Sequence, residues 1–164
     1  MTEQTPEHII ELVAGRHPNG DLVMEKILVT PQQEKGQFLL LKSPVFVKGI
    51  AQGDLIAQMD EPKGAFKIVQ HGGNLSIRVY GKEDLSVIEQ ALTIELEKLG
   101  GTLDICQGNV LVYSIHVSCG FKTVEALLNQ HLDNKDTLAW YYGNVYDPET
   151  GEPLNWWQAI LSEN

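Results

Sequence analysis

At 164 residues with 43% apolar side chains, the chain can bury a core as one domain or as two small units sharing one, and 22 Asp and Glu against 12 Lys and Arg set its formal charge at −10. A field of that sign repels phosphate backbones, which disfavours nucleic acid as a partner and favours a basic protein. No run of about 18 apolar residues occurs, and MTEQTPEHII has no basic stretch ahead of an apolar one, so a soluble, cytoplasmic chain that engages no membrane is expected.

Taken in order, Thr5-Pro6-Glu7 offers an N-cap, a proline at the first helical position and an early acid. Ile9, Ile10 and Val13 follow as a stripe ending at Gly15, which predicts one short helix. From Met24 the pattern turns to strands: MEKILVT, QFLLLK, PVFVKGI, DLIAQM and AFKIVQ, separated by Gly, Pro, Asn or Asp. Pro44 suits a strand start or an edge. Within KSPVFVKGIAQGDLI, Gly49 and Gly53 supply backbone angles that a Cβ forbids, and Asp54 is placed to accept from nearby amides, so QGD reads as a turn. A phosphate cradle would need a helix to follow, and a strand follows.

His71-Gly72-Gly73-Asn74 reads as a flexible join; the alternative is a nest of amides for a small anion. LSIRVY is then an alternating strand. DLSVIEQALTIELEKLGG is a helix with Ser86 and Glu89 at capping-box spacing, a stripe of Leu85, Ile88, Leu92, Leu96 and Leu99, and Gly100 beyond its end. TLDICQ and VLVYSIHV flank Gly108-Asn109, a two-residue hairpin signal. A second helix, capped by Thr123, carries Val124, Leu127, Leu128 and Leu132, and TLAWYYGNVY closes as a strand.

The expected fold is therefore α+β: a small N-terminal antiparallel β unit packed on a C-terminal ferredoxin-like β-α-β-β-α-β sandwich. The expected divisions are 1–71, 72–146 and an acidic aromatic segment 147–164, in one compact body. On the central hairpin Leu111, Tyr113, Ile115 and Val117 point one way, and Val110, Val112, Ile105 and Leu103 the other. The second apolar face needs a cover, either the N-terminal unit or, failing that, a homodimer partner.

Signals for chemistry are sparse. His8, His17, His71, His116 and His131 form no metal-ligand spacing, and Cys106 shares a face with Leu111 while His116 lies opposite, so Cys106, His116 and Cys119 do not converge on a metal. The two cysteines read as small reduced fillers rather than a disulfide or an activated thiol, even with Lys122 near Cys119. No nucleophile elbow, Walker loop or dinucleotide fingerprint occurs, so neither catalytic residue, metal nor cofactor is expected, and the chain reads as no enzyme.

The C-terminal segment is richer. Trp140, Tyr141, Tyr142, Tyr146, Trp156 and Trp157 are half of the chain's twelve Trp, Tyr and Phe residues. After Lys135 no Lys or Arg follows, while Asp136, Asp147, Glu149, Glu152 and Glu163 do. Large aromatics beside carboxylates suit the Arg or Lys of a partner. Trp140, Tyr142, Tyr146, Asp147, Glu149, Glu152, Trp156 and Trp157 are the expected partner-binding residues; the competing role for the tryptophans is a lid over the sheet. WWQAIL suits a short terminal helix.

PVFVKGIAQGD, followed by HGGNLSIRVY and the β-α-β-β-α run, resembles the bacterial family known as domain of unknown function 4265, from about Lys26 to His131. Ser43-Pro44-Val45-Phe46 departs from that family's more usual Asn-x-Pro-Phe-Phe. The family has no established catalytic residue, so the resemblance implies no known enzyme activity. Acidic proteins of this size include toxin-neutralising immunity proteins, by association. The expectation is a non-enzymatic binding protein, immunity-like or inhibitory, that meets a basic protein as an acidic mimic of nucleic acid. The alternatives are a small-molecule sensor or carrier using the sheet face or the groove between halves, and a cryptic enzyme.

Overall fold

The computed structural model of the chain describes residues 6–132 and 136–162. Five strands come first, β1 (His8–Arg16), β2 (Leu22–Pro31), β3 (Gln37–Leu40), β4 (Leu55–Gln58) and β5 (Phe66–Gln70), paired in chain order as an antiparallel meander. The helix expected near the N-terminus is strand β1 instead. Its residues 8–13 run opposite β2 and bury Leu12, while Ile9 stays exposed, so sheet pairing overrides the proline and acid that suggested a helix. Thr5, its proposed cap, lies outside the described residues. The sheet curls until the Val13 amide donates to the Gly64 carbonyl at 3.0 Å, wrapping a core of Leu12, Ile27, Val29, Leu40, Val47, Ile50 and Ile56.

The second sheet uses β6 (Asn74–Gly81), β7 (Thr102–Gln107), β8 (Val110–His116) and β9 (Leu138–Tyr142) in the order β7-β8-β6-β9, every neighbour antiparallel. Helices α1 (Ser86–Lys98) and α2 (Phe121–Leu132) pack with Leu75, Ile77, Val79, Leu111, Tyr113 and Ile115 on one face. The expected capping box is absent. The Ser86 amide and hydroxyl both donate to Asp84, and α2 starts at Phe121, ahead of Thr123.

The hairpin at Gly108-Asn109 forms with Cys106 opposite Leu111, as its register predicts, but the pairing shifts between Leu103 and Ile105. That bulge returns Leu103 to the helical face opposite Tyr113 and turns Asp104 to the other side. The second face is consequently more polar than expected: Ser76, Arg78, Asp104 and Ser114 are all buried there. Segment 41–54 of the N-terminal half covers it. The Ser43 amide donates to Asp104 at 2.7 Å, the Ser43 and Ser114 hydroxyls share a hydrogen bond at 2.6 Å, and Gln52 Nε2 donates to Asp104 at 3.2 Å.

PVFVKGI, expected as a strand, is irregular. The Val45, Phe46 and Val47 amides converge on the Glu25 carboxylate at 2.7, 2.9 and 2.8 Å, which a strand's alternating amides could not do. Gly49 and Gly53 do adopt positive φ, at 91° and 89°, and Asp54 accepts from the Ala51 amide as the turn reading requires.

Candidate functional site

The C-terminal segment builds outward from β9. Leu138, Trp140 and Tyr142 face the helices and join the core cluster, while Tyr141 lies on the opposite face, stacked on Tyr80 with centroids 5.3 Å apart. Trp140 Nε1 donates to Asn129 and the Tyr142 hydroxyl to Glu125, tying β9 to α2. Burial and the neighbouring Glu125 raise the Tyr142 pKa far above its ordinary value.

Beyond β9 the chain folds into a tight acidic turn. Tyr146 bridges Pro153, the Asp147 amide donates to the Glu152 carbonyl, and the Asp147 carboxylate accepts from the Glu149 and Thr150 amides at 2.8 and 3.1 Å. Asp147 therefore shapes the turn, whereas Tyr146, Glu149 and Glu152 present their side chains to solvent. The short helix α3 (Trp157–Ser162) follows, as WWQAIL suggested. Trp156 Nε1 donates to the Asn144 carbonyl at 2.8 Å, and Trp157 meets Phe121 and Trp156 edge-on.

The expected partner-binding residues thus divide. Trp140, Tyr142, Trp156 and Trp157 are half-buried against the core in the manner of a lid, with the Trp140, Tyr142 and Trp156 polar atoms hydrogen-bonded. Tyr146, Glu149 and Glu152 stand together on the exposed turn that Asp147 holds. Glu163 lies outside the described residues. Among the described residues Lys98 forms an ion pair with Glu95 and the His71 ring meets the Asp54 carboxylate; neither contact involves an acid of the C-terminal segment.

Sequence reasoning missed the junction at His71. Its ring stacks on Trp156 with centroids 4.8 Å apart and an interplanar angle of 20°, and Nδ1 meets the fully buried Asp54 carboxylate at 3.3 Å. Asp54 also accepts from the Gly72 amide at 2.8 Å. The expected flexible join is a packed one. A Cβ on Gly72 would overlap the Gly53 carbonyl, and one on Gly73, at φ 104°, would stand 2.5 Å from His116 Nε2. On one side of His71 lies a groove of about 410 Å³, walled by Ile68, Val69, Trp156, Ala159 and Ile160. A histidine just before two glycines was the available signal; its carboxylate and aromatic partners are 17 and 85 positions away in sequence, and nothing local announces them.

The Asp54–His71 pair has the form of an oriented base, but among the described residues no serine, cysteine or carboxylate lines the adjoining groove to act as nucleophile. Cys119 packs against the helical core and burial raises its thiol pKa, the opposite of an activated thiolate. Cys106 lies opposite Leu111, near the hairpin turn, while His116 ends β8 at its other end.

Comparison with known proteins places this architecture. The family model described as domain of unknown function (DUF4265) matches residues 25–140. No curated protein matches the chain. A crystal structure of a hypothetical protein from Neisseria gonorrhoeae is similar over 87% of this chain and 96% of that one, with a TM-score of 0.64 and 14% identity, a likeness of fold.

Proposed function

The chain belongs to the DUF4265 family, a domain of unknown function, and we propose that it is a non-enzymatic binding protein, immunity-like or inhibitory, that takes a basic protein partner on its C-terminal acidic surface. The observation that carries this reading is that the exposed Asp136, Glu149 and Glu152 enter none of the ion pairs among the described residues, in a segment without Lys or Arg, and that Glu149 and Glu152 share their turn with an exposed Tyr146. Uncompensated carboxylates beside an aromatic ring suit Arg and Lys, and their field speeds encounter with a cationic surface. We read the second sheet as ferredoxin-like, on the strength of the order β7-β8-β6-β9 and its two helices against one face.

The test is capture from a native cell lysate on immobilised full-length chain at low and high salt. The comparison is with the variant Asp136→Asn, Glu149→Gln, Glu152→Gln, which spares Asp147 and so keeps the turn. A near-stoichiometric basic protein, lost at high salt and from the variant, supports the reading. An acidic partner, or equal capture by the variant, sinks it.

The groove beside His71 favours a second reading, a small-molecule sensor. Segment 41–54 covers the sheet face, so a ligand would enter between β5 and α3, against Trp156 and within reach of His71. A metabolite that raises the melting temperature of the native chain and not of His71→Ala would favour this reading.

A further inference from the structure

The second sheet has an open edge at β9, because β6 is its neighbour on one side and no described strand lies on the other. Register shows which groups line that edge. The Lys82 amide donates to the Thr137 carbonyl and the Gly143 amide to the Ser76 carbonyl, so residues 137, 139, 141 and 143 are the ones that exchange hydrogen bonds with β6. Leu138, Trp140 and Tyr142 then turn their N–H and C=O groups outward.

Every other outer strand carries a feature that discourages pairing. β1 has Glu11, Arg16 and a bulge after Val13; β5 has Lys67 and a register shift; β7 has the bulge at Asp104. β9 reads Leu-Ala-Trp-Tyr-Tyr, with neither charge, proline nor bulge. Such an edge is a template for another chain.

Its surroundings select the occupant. A cleft of about 230 Å³ opens at the start of β9, lined by Leu138, Val87 and Ile88 with Glu83 and Asp84 among its walls. Hydrogen bonds from Ser86 hold the Asp84 carboxyl below its ordinary pKa, keeping it anionic. Past the far end of β9 stands the acidic turn with Glu149 and Glu152. The cleft suits the stem and charged head of an Arg or Lys. A second copy on the same edge would bring like-charged segments together, which disfavours it.

Resting on the proposed function, we infer that the partner's contact segment is an extended basic peptide that adds to β9 as a fifth strand, with an Arg or Lys in the Glu83–Asp84 cleft.

The probe is acetyl-Arg-Val-Lys-Val-Arg-Val-amide, compared with its analogue N-methylated at every internal amide, each titrated into the full-length chain. Binding is read by fluorescence anisotropy of a labelled peptide and amide exchange by NMR. The expected result is binding of the unmodified peptide alone, with exchange at Leu138, Trp140 and Tyr142 slowed about tenfold or more and the already paired Ala139 and Tyr141 little changed. Glu83→Gln with Asp84→Asn, which keeps an acceptor for Ser86, should weaken binding about fivefold. Equal binding of both peptides with unchanged edge amides would overturn strand addition while leaving the basic-partner reading standing. Binding by neither would count against both.

Discussion

Glu25 and Arg78 grip the same short loop from opposite sides. The carboxylate accepts the Val45, Phe46 and Val47 amides, and the fully buried guanidinium donates to the Phe46 and Val47 carbonyls. The Tyr80 hydroxyl adds a bond to Val45 O at 3.1 Å, and the held loop displays Phe46 with 55% of its surface exposed. Charge-assisted bonds of this kind are the strong ones, and the peptide units between the two charges relay their attraction. Glu25→Ala should cost about 2–4 kcal/mol in urea unfolding. A loss below about 0.5 kcal/mol, the range of an ordinary surface substitution, would show that the loop does not depend on the carboxylate.

The His71–Asn74 join gives a second prediction. Because the Gly53 carbonyl fills the space of a Cβ at position 72, Gly72→Ala should destabilise the chain by about 2 kcal/mol or more, whereas a flexible linker would tolerate it. Gly73→Ala adds a strained φ to its clash with His116 and should be at least as costly. Thermal melts of the two variants, with Gly151→Ala in the open turn as the positive-φ control, separate crowding from backbone strain.

Alkaline stability follows from the tyrosines. Burial pushes Tyr113 up to about 12, and Tyr80 and Tyr142 are raised further, in each case with burial as the leading cause. A raised folded-state pKa means that these rings contribute stability in full below their unfolded value of about 10, and that it is lost as pH rises from there through the folded values. Tyrosinate absorbance should show Tyr80, Tyr113 and Tyr142 ionising late and together with unfolding. Ionisation of all the tyrosines near their ordinary value in a still-folded chain would contradict the burial described.

Trp156 links the C-terminal helix to the junction through its stack on His71 and its bond to Asn144. Trp156→Ala should cost about 2–3 kcal/mol, short of a full core tryptophan because the ring is half-buried. Trp156→Phe, which keeps an aromatic face and drops the donor, should cost about 1 kcal/mol. Chemical denaturation with near-ultraviolet circular dichroism reads both.

Much of the second half was legible because its signals are local. Leu92 and Leu96 at helical spacing, Gly108-Asn109 between alternating runs, and WWQAIL as a terminal helix all appear where the pattern puts them. What escaped depends on distant partners. β1 is a strand because β2 runs beside it, and PVFVKGI is a loop because Glu25, some 20 residues earlier, collects its amides. The bulge at Asp104 exists where a buried carboxylate serves Ser43, Gln52 and Ser114, and no periodicity encodes such a need. At the candidate site, composition marked the aromatic acidic segment, while only the fold separates the lid tryptophans from exposed Tyr146, Glu149 and Glu152.

Whether the C-terminal carboxylates recruit a cationic partner is decided by titration calorimetry against the captured protein across a salt series. Affinity of the full-length chain should fall steadily as salt rises, and Asp136→Asn, Glu149→Gln, Glu152→Gln should bind about tenfold more weakly or worse with a flatter salt dependence. Equal, salt-independent affinity in both proteins would contradict such recruitment.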